Sequence, residues 1–108
     1  MLKFKVTGSS GDIYEIVATR DGINFRMSCT CEAGQHGMYC KHRFSLMNGD
    51  ITSLLSENSD DVARLKDLLN GTDVERRYKI VCDLEAEKMR IDSKLKFEKK
   101  ALAKEMTT

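Results

Sequence analysis

All seven glycines, at positions 8, 11, 22, 34, 37, 49 and 71, precede Thr72, and the chain contains no proline. Everything after Gly71 therefore lacks the two residues that most disfavour a helix interior, while everything before it is punctuated by turn formers. Thr72-Asp73-Val74-Glu75 also fits a capping box, in which an N-cap hydroxyl and an N3 carboxylate satisfy orphan backbone amides. The division predicts a turn-rich head followed by one long helix. A helix of roughly 34 residues spans about 50 Å, too long to lie wholly on a small sheet.

Within the head, Leu2-Lys3-Phe4-Lys5-Val6 alternates with a period of two, and residues 8–12 supply turn chemistry. Residues 13–19 are rich in β-branched and aromatic side chains, residues 20–22 form a second turn signal, and residues 23–27 alternate again. Three short antiparallel strands follow from this pattern. So small a sheet buries little apolar surface and needs something further to close it. A short helix is expected from Cys40 to Met47, ended by Asn48-Gly49, and residues 50–55 read as a further helical turn. Ser59 is the expected N-cap of a clearer helix, with Asp60 and Asp61 in its first turn and Val62, Leu65, Leu68 and Leu69 as its apolar face. Asn70-Gly71 ends it. The organisation expected is a sheet with a metal finger over residues 1–49, short packing helices over 50–71, and the long helix over 72–108. The fold class is α+β.

Along the long helix, Val74, Val81, Leu95 and Leu102 recur at heptad spacing with Tyr78, Leu84 and Ile91 beside them. Lys88, Glu98 and Glu105 interrupt that stripe. The near half, to about Leu84, is expected to fold back over Leu55, Leu65 and Leu69. The far half is either a marginal coiled coil or a solvated arm, and Leu84, Ile91, Leu95 and Leu102 are the residues it would offer to a partner or a second copy.

Three of the four cysteines and both histidines fall within CTCEAGQHGMYCKH, residues 29–42. Length and composition frame the interpretation. With 108 residues and 41% hydrophobic side chains there is room for one modest core. Eighteen basic and seventeen acidic residues leave a formal charge of +1, so the average field favours neither nucleic acid nor membrane. Lys3 and Lys5 interrupt the apolar residues at the amino terminus, and no run approaches ~18 apolar residues. An intracellular, membrane-free protein is expected. In a reducing compartment a tight Cys/His cluster signals metal or redox chemistry rather than a structural disulfide.

As a pattern the cluster is C-x-C-x8-C-x-H, with Cys29, Cys31, Cys40 and His42 as ligands. Zinc takes four sulfur and nitrogen donors tetrahedrally, and a closed set of four describes a structural site. Gly34 and Gly37 let the chain reverse around the ion. Three thiolates, a neutral imidazole and Zn²⁺ sum to about −1, which Lys41 and Arg43 are placed to offset. The competing interpretation is a Cys-x-Cys redox pair with incidental Cys and His. His36 could replace His42 or be a solvated loop residue, and Cys82 reads as a small buried hydrophobe.

Cys29-Thr30-Cys31 and Gly37-Met38-Tyr39-Cys40-Lys41-His42, preceded by hairpin strands and followed by a short apolar helix, resemble the SWIM zinc finger, whose signature is CxC, a variable loop, then CxH. The resemblance covers about residues 13–48. The sequence departs from the family at Tyr39, where proline is common, and at Arg43, where an aliphatic residue is usual. SWIM modules occur in Mutator-type transposases, far-red-response transcription factors, helicase-like ATPases, recombination mediators and ubiquitin ligases. The resemblance thus implies one structural Zn²⁺ and a DNA-binding or protein-interaction module, and no catalysis by the finger. Both histidines lie in the finger, and no phosphate-binding glycine loop or GxSxG turn is present, so no enzyme is expected. A protein-interaction adaptor or inhibitor, within a DNA-associated assembly or outside one, is the leading functional expectation. Direct DNA or RNA binding through Lys41, Arg43 and Arg26 is the alternative.

Overall fold

The computed structural model describes residues 1–107 of the chain. Three antiparallel strands, β1 (Leu2–Thr7), β2 (Ile13–Asp21) and β3 (Asn24–Cys29), form a sheet in the order β1-β2-β3. Four helices follow: α1 (Glu32–Gln35), α2 (Lys41–Met47), α3 (Ser59–Leu69) and α4 (Asp73–Thr107). The architecture is α+β, as the alternation of apolar residues followed by helical spacing requires.

The register explains the two faces. Phe4 pairs with Ile16 and Ile16 with Cys29, so these three point the same way, as do Val6, Ala18 and Phe25. All six are buried, whereas Lys3, Lys5, Glu15 and Arg26 stand exposed on the opposite face. The second turn is tighter than the sequence predicts. Asp21 pairs with Asn24, leaving a two-residue loop in which Gly22 has φ +62 and Ile23 does not. A positive φ at only the first loop residue is the type II′ pattern that suits strand twist. Ile23, expected to open the third strand, is therefore in the turn and 77% exposed.

α2 and α3 cover the apolar face: α2 packs on β3 and on α3, and α3 on β2. Phe4, Ile16, Leu46 and Leu65 are the largest fully buried side chains, each contributing about 1.5–3 kcal/mol of burial free energy. Residues 50–55 do not form the expected helical turn. Thr7 N–H donates to the Ser53 carbonyl at 2.9 Å, Leu55 N–H donates to the Lys5 carbonyl at 2.7 Å, and Leu54 bridges to Val6. The segment thus satisfies the outer edge of β1, a demand that local propensity does not register. The N-cap of α3 is Asn58 rather than Ser59, and its Nδ2 donates to the Lys3 carbonyl at 2.7 Å and to Asp61 Oδ2 at 3.1 Å. Arg20 donates from NH1 to the carbonyls of Leu68 and Asn70 at 3.1 and 2.8 Å, occupying orphan acceptors at the end of α3.

The chain divides into two compact units, Met1–Glu75 and the helical remainder from Arg76. The capping box at the start of α4 is present in modified form. Glu75 N–H donates to Thr72 Oγ1 at 3.2 Å, while Glu75 Oε1 accepts from Gly71 N–H at 3.1 Å rather than from Thr72. No residue of α4 is fully buried. Partial burial in its first half is confined to Val74, Glu75, Tyr78, Val81 and Cys82, and Leu84 is 58% exposed. Cys82, expected to be a buried hydrophobe, is half-buried. A Tyr78–Cys82 hydrogen bond one turn apart gives that cysteine a polar neighbour, and burial followed by this bond pushes the Tyr78 hydroxyl up to about 12.

Candidate metal centre

The four expected donors converge from three elements. Cys29 ends β3, Cys31 is the N-cap of α1, Cys40 is the N-cap of α2, and His42 is the second residue of α2. Alternation along β3 turns Phe25, Met27 and Cys29 inward, so the first sulfur reaches the core side without any special device. The one-turn helix α1 was not legible in the sequence, and its role is local. Its start lets Cys31 Sγ accept from the Gly34 amide at 3.3 Å. Gly34 is required here because a Cβ would collide with the Cys29 carbonyl. Gly37, at φ +67, then turns the chain back toward Cys40.

The donor atoms form a closed group. Cys31 Sγ lies 3.3 Å from Cys40 Sγ, and His42 Nδ1 lies 3.5 Å from Cys40 Sγ and 3.9 Å from Cys29 Sγ. All four ligand atoms fall within 4.8 Å of one another, with the three cysteines buried and His42 half-buried. Such a group can hold one metal ion. His36 is exposed at the end of α1 and lies outside it.

The thiols differ sharply. Burial pushes Cys29 up to about 12; the Cys31 backbone N–H opposes this, and the Cys31 and Cys40 side chains add to it. Burial also pushes Cys40 up, but the Arg43 backbone N–H facing it from the first turn of α2, together with Cys31, His42 and Cys29, outweighs that and brings it down to about 6. A helix N-terminus is a natural place for a thiolate. One sulfur is thus ready to ligate near neutral pH while another holds its proton until an ion displaces it.

The support of His42 is unusual. Nδ1 faces the sulfurs, while Nε2 is buried with no hydrogen-bond partner among the described residues. Metal-bound histidines ordinarily donate from the second nitrogen to a carboxylate or carbonyl. Here the ring is held by stacking instead: Tyr14 lies 4.9 Å away between centroids, tilted by 42°. Alternation along β2 places Tyr14 on the core face, but nothing in its sequence surroundings marks it as a neighbour of the site. Cys31, Cys40 and His42 also line a cleft of about 590 Å³ with Tyr14, Tyr39 and Lys41, so the group is reachable from solvent.

The other expected residues have separate fates. Arg43 donates from NH1 to the Met27 carbonyl at 3.0 Å and from NH2 to the Met38 carbonyl at 2.6 Å. Its half-buried guanidinium ties the loop before Cys40 to β3, which accounts for an arginine where an aliphatic residue would only pack. Lys41 is exposed at the start of α2, and Arg26 is exposed on the outer face of the sheet. Leu84, Ile91, Leu95 and Leu102 lie along α4, each more than half exposed. Among the described residues no helix is long and apolar enough to cross a membrane. The chain matches no protein-family model, no curated protein and no solved structure.

Proposed function

We propose that the chain is a non-catalytic, zinc-stabilised binding module of the SWIM type that acts inside cells through protein contacts. The observation that carries this is the closed donor set: three buried sulfurs and one imidazole nitrogen within 4.8 Å. With sulfur at ~2.3 Å and nitrogen at ~2.0–2.1 Å, a tetrahedral zinc ion has edges of about 3.8 and 3.6 Å. The two sulfur–nitrogen separations of 3.5 and 3.9 Å bracket the second value, and the sulfur–sulfur separation of 3.3 Å is shorter than the first by about half an ångström, a gap that a bound ion would open. Thiolate and imidazole donors disfavour magnesium and calcium, which take oxygen. Four protein donors complete the tetrahedron and leave no position for the water that hydrolytic zinc activates. The ion's role is then to hold β3, α1 and α2 together, with Cys29, Cys31, Cys40 and His42 as its ligands.

A protein partner is favoured because Leu84, Ile91, Leu95 and Leu102 form an exposed apolar series on α4, suited to pairing with another helix. The role is that of an adaptor or inhibitor, compatible with a DNA-associated assembly. Direct DNA or RNA binding is the second reading, supported by Lys3, Lys5 and Arg26 standing exposed on one face of the sheet. It draws less from Arg43, whose guanidinium is engaged by two backbone carbonyls. Native mass spectrometry with and without chelator tests the first reading, with one zinc per chain expected. A metal-free chain that remains folded would overturn it. Salt-dependent retardation of DNA that disappears in Lys41→Glu and Arg26→Glu variants would instead establish the second.

A further inference from the structure

We propose that α4 pairs with α4 of a second copy of this chain in antiparallel orientation, with the seam centred on Ser93. The pairing rests on the reading of α4 as a contact helix and adds its partner, orientation and register.

Leu84, Lys88, Ile91, Leu95, Glu98 and Leu102 follow one another at alternating spacings of four and three residues, so they share one face of the helix. All six are exposed, the four apolar ones at 58, 56, 51 and 55% in chain order. α4 runs unbroken through this stretch. Lys88 and Glu98 look like defects in an apolar stripe, yet their positions are symmetric. Leu84 and Leu102 are equidistant from Ser93, and so are Lys88 and Glu98, and so are Ile91 and Leu95.

Reversing one helix on another about Ser93 therefore brings Leu84 against Leu102 of the second copy, Lys88 against Glu98, and Ile91 against Leu95. Two-fold symmetry repeats each pair. The long aliphatic stems of Lys88 and Glu98 cover the neighbouring apolar layers while their charges meet at the solvent boundary. On the flank, Glu85 falls opposite Lys99 of the second copy, again twice, because equivalent flanking positions face each other in antiparallel pairs. In-register parallel pairing would set Lys88 against Lys88 and Glu98 against Glu98, both repulsive. The charge pattern thus selects orientation as well as partner.

Two contacts oppose the arrangement: at the dyad Asp92 meets its own copy on one edge and Lys94 on the other. Both lie at the rim, where Asp92 has Lys88 and Lys96 four residues away on its own helix and Lys94 has Glu98. The seam has natural ends, since Val81 before it is half-buried within its own chain and Glu105 follows Leu102. Between Leu84 and Leu102 it spans about 27 Å.

Sedimentation equilibrium on the full zinc-loaded chain, across a wide concentration range, tests the seam with Lys88→Glu, Glu98→Lys and the double exchange. Each single variant creates two like-charged layers and is expected to raise the dimer dissociation constant roughly tenfold or more. The double exchange restores both layers and is expected to return within about threefold of the original chain. Far-UV circular dichroism confirms that each variant keeps α4, and metal content that each keeps its head. Self-pairing is overturned by a chain that stays monomeric with its metal bound, an outcome that leaves the zinc reading standing. The antiparallel register is overturned by a dimer indifferent to either single variant, or by a double exchange as weak as the singles.

Discussion

Among the described residues, every fully buried side chain lies between Phe4 and Thr72, whereas α4 carries Leu84, Ile91, Leu95, Phe97 and Leu102 each more than half exposed. The head buries the apolar face of its sheet internally: the period-two strands offer that face, and two helices with matching stripes cover it. α4 has the same kinds of side chain but no neighbour within its own unit to receive them. Its helicity comes instead from length beyond the ~12–15 residues at which isolated helices become viable, from the absence of Gly and Pro, and from its N-terminal cap. The contrast teaches that apolar content does not by itself make a core, because burial needs two complementary surfaces.

The largest effect expected from testing this contrast is metal removal. Chelation, or Cys40→Ser, should unfold the head, because apparent structural-zinc energies of ~10–16 kcal/mol match or exceed the stability of a domain this size. Near-UV circular dichroism should collapse while a substantial far-UV helical signal from α4 persists. Loss of both signals together would break the comparison by making α4 depend on the head. Next, Leu65→Ala should destabilise the head by about 2–5 kcal/mol in urea titration, since Leu65 is fully buried. Gly34→Ala should cost about 1–3 kcal/mol and weaken metal binding, because the new Cβ meets the Cys29 carbonyl.

The pH dependence of metal affinity follows in size. Cys29, held up at about 12, keeps its proton through neutral pH, so an ion must displace it. Affinity should therefore rise about tenfold per pH unit from this thiol alone. Cys40, at about 6, is already a thiolate above that pH and adds a further proton only below it. A competition titration should show the slope steepen as pH falls past about 6, and a flat profile would count against these thiols as ligands. The smallest effect is expected from Leu95→Asp with Leu102→Asp. Both residues are exposed, so metal content should be unchanged and the melting of the head should move by less than about 0.5 kcal/mol. A large loss would mean that α4 and the head are energetically one body.

Much of this was legible in the residues, and the exceptions have specific causes. The strands, α2, the end of α3 at Asn70-Gly71 and the extent of α4 follow from periodicity and punctuation, which are local. Residues 50–55 are not helical because the unpaired edge of β1, not the segment's own propensity, decides their conformation. Asn58 displaced Ser59 as N-cap because its amide also reaches the Lys3 carbonyl, a partner remote in sequence. Ile23 fell in the turn because the register Asp21 to Asn24 leaves room for only two loop residues.

By itself the sequence singled out the four-residue Cys/His group that can hold one metal ion, through two short pairs separated by a glycine-bearing loop, and it determined where the long helix starts. Chain spacing constrains which groups are near neighbours, and this is enough to bring such pairs within reach of each other. Only the tertiary structure decided that Tyr14 stacks on His42, that Arg43 ties the loop before Cys40 to β3, and that Arg20 occupies the carbonyls ending α3. Those three contacts join groups far apart along the chain. Their partners are backbone carbonyls and a ring face, which carry no residue-specific signature in a sequence.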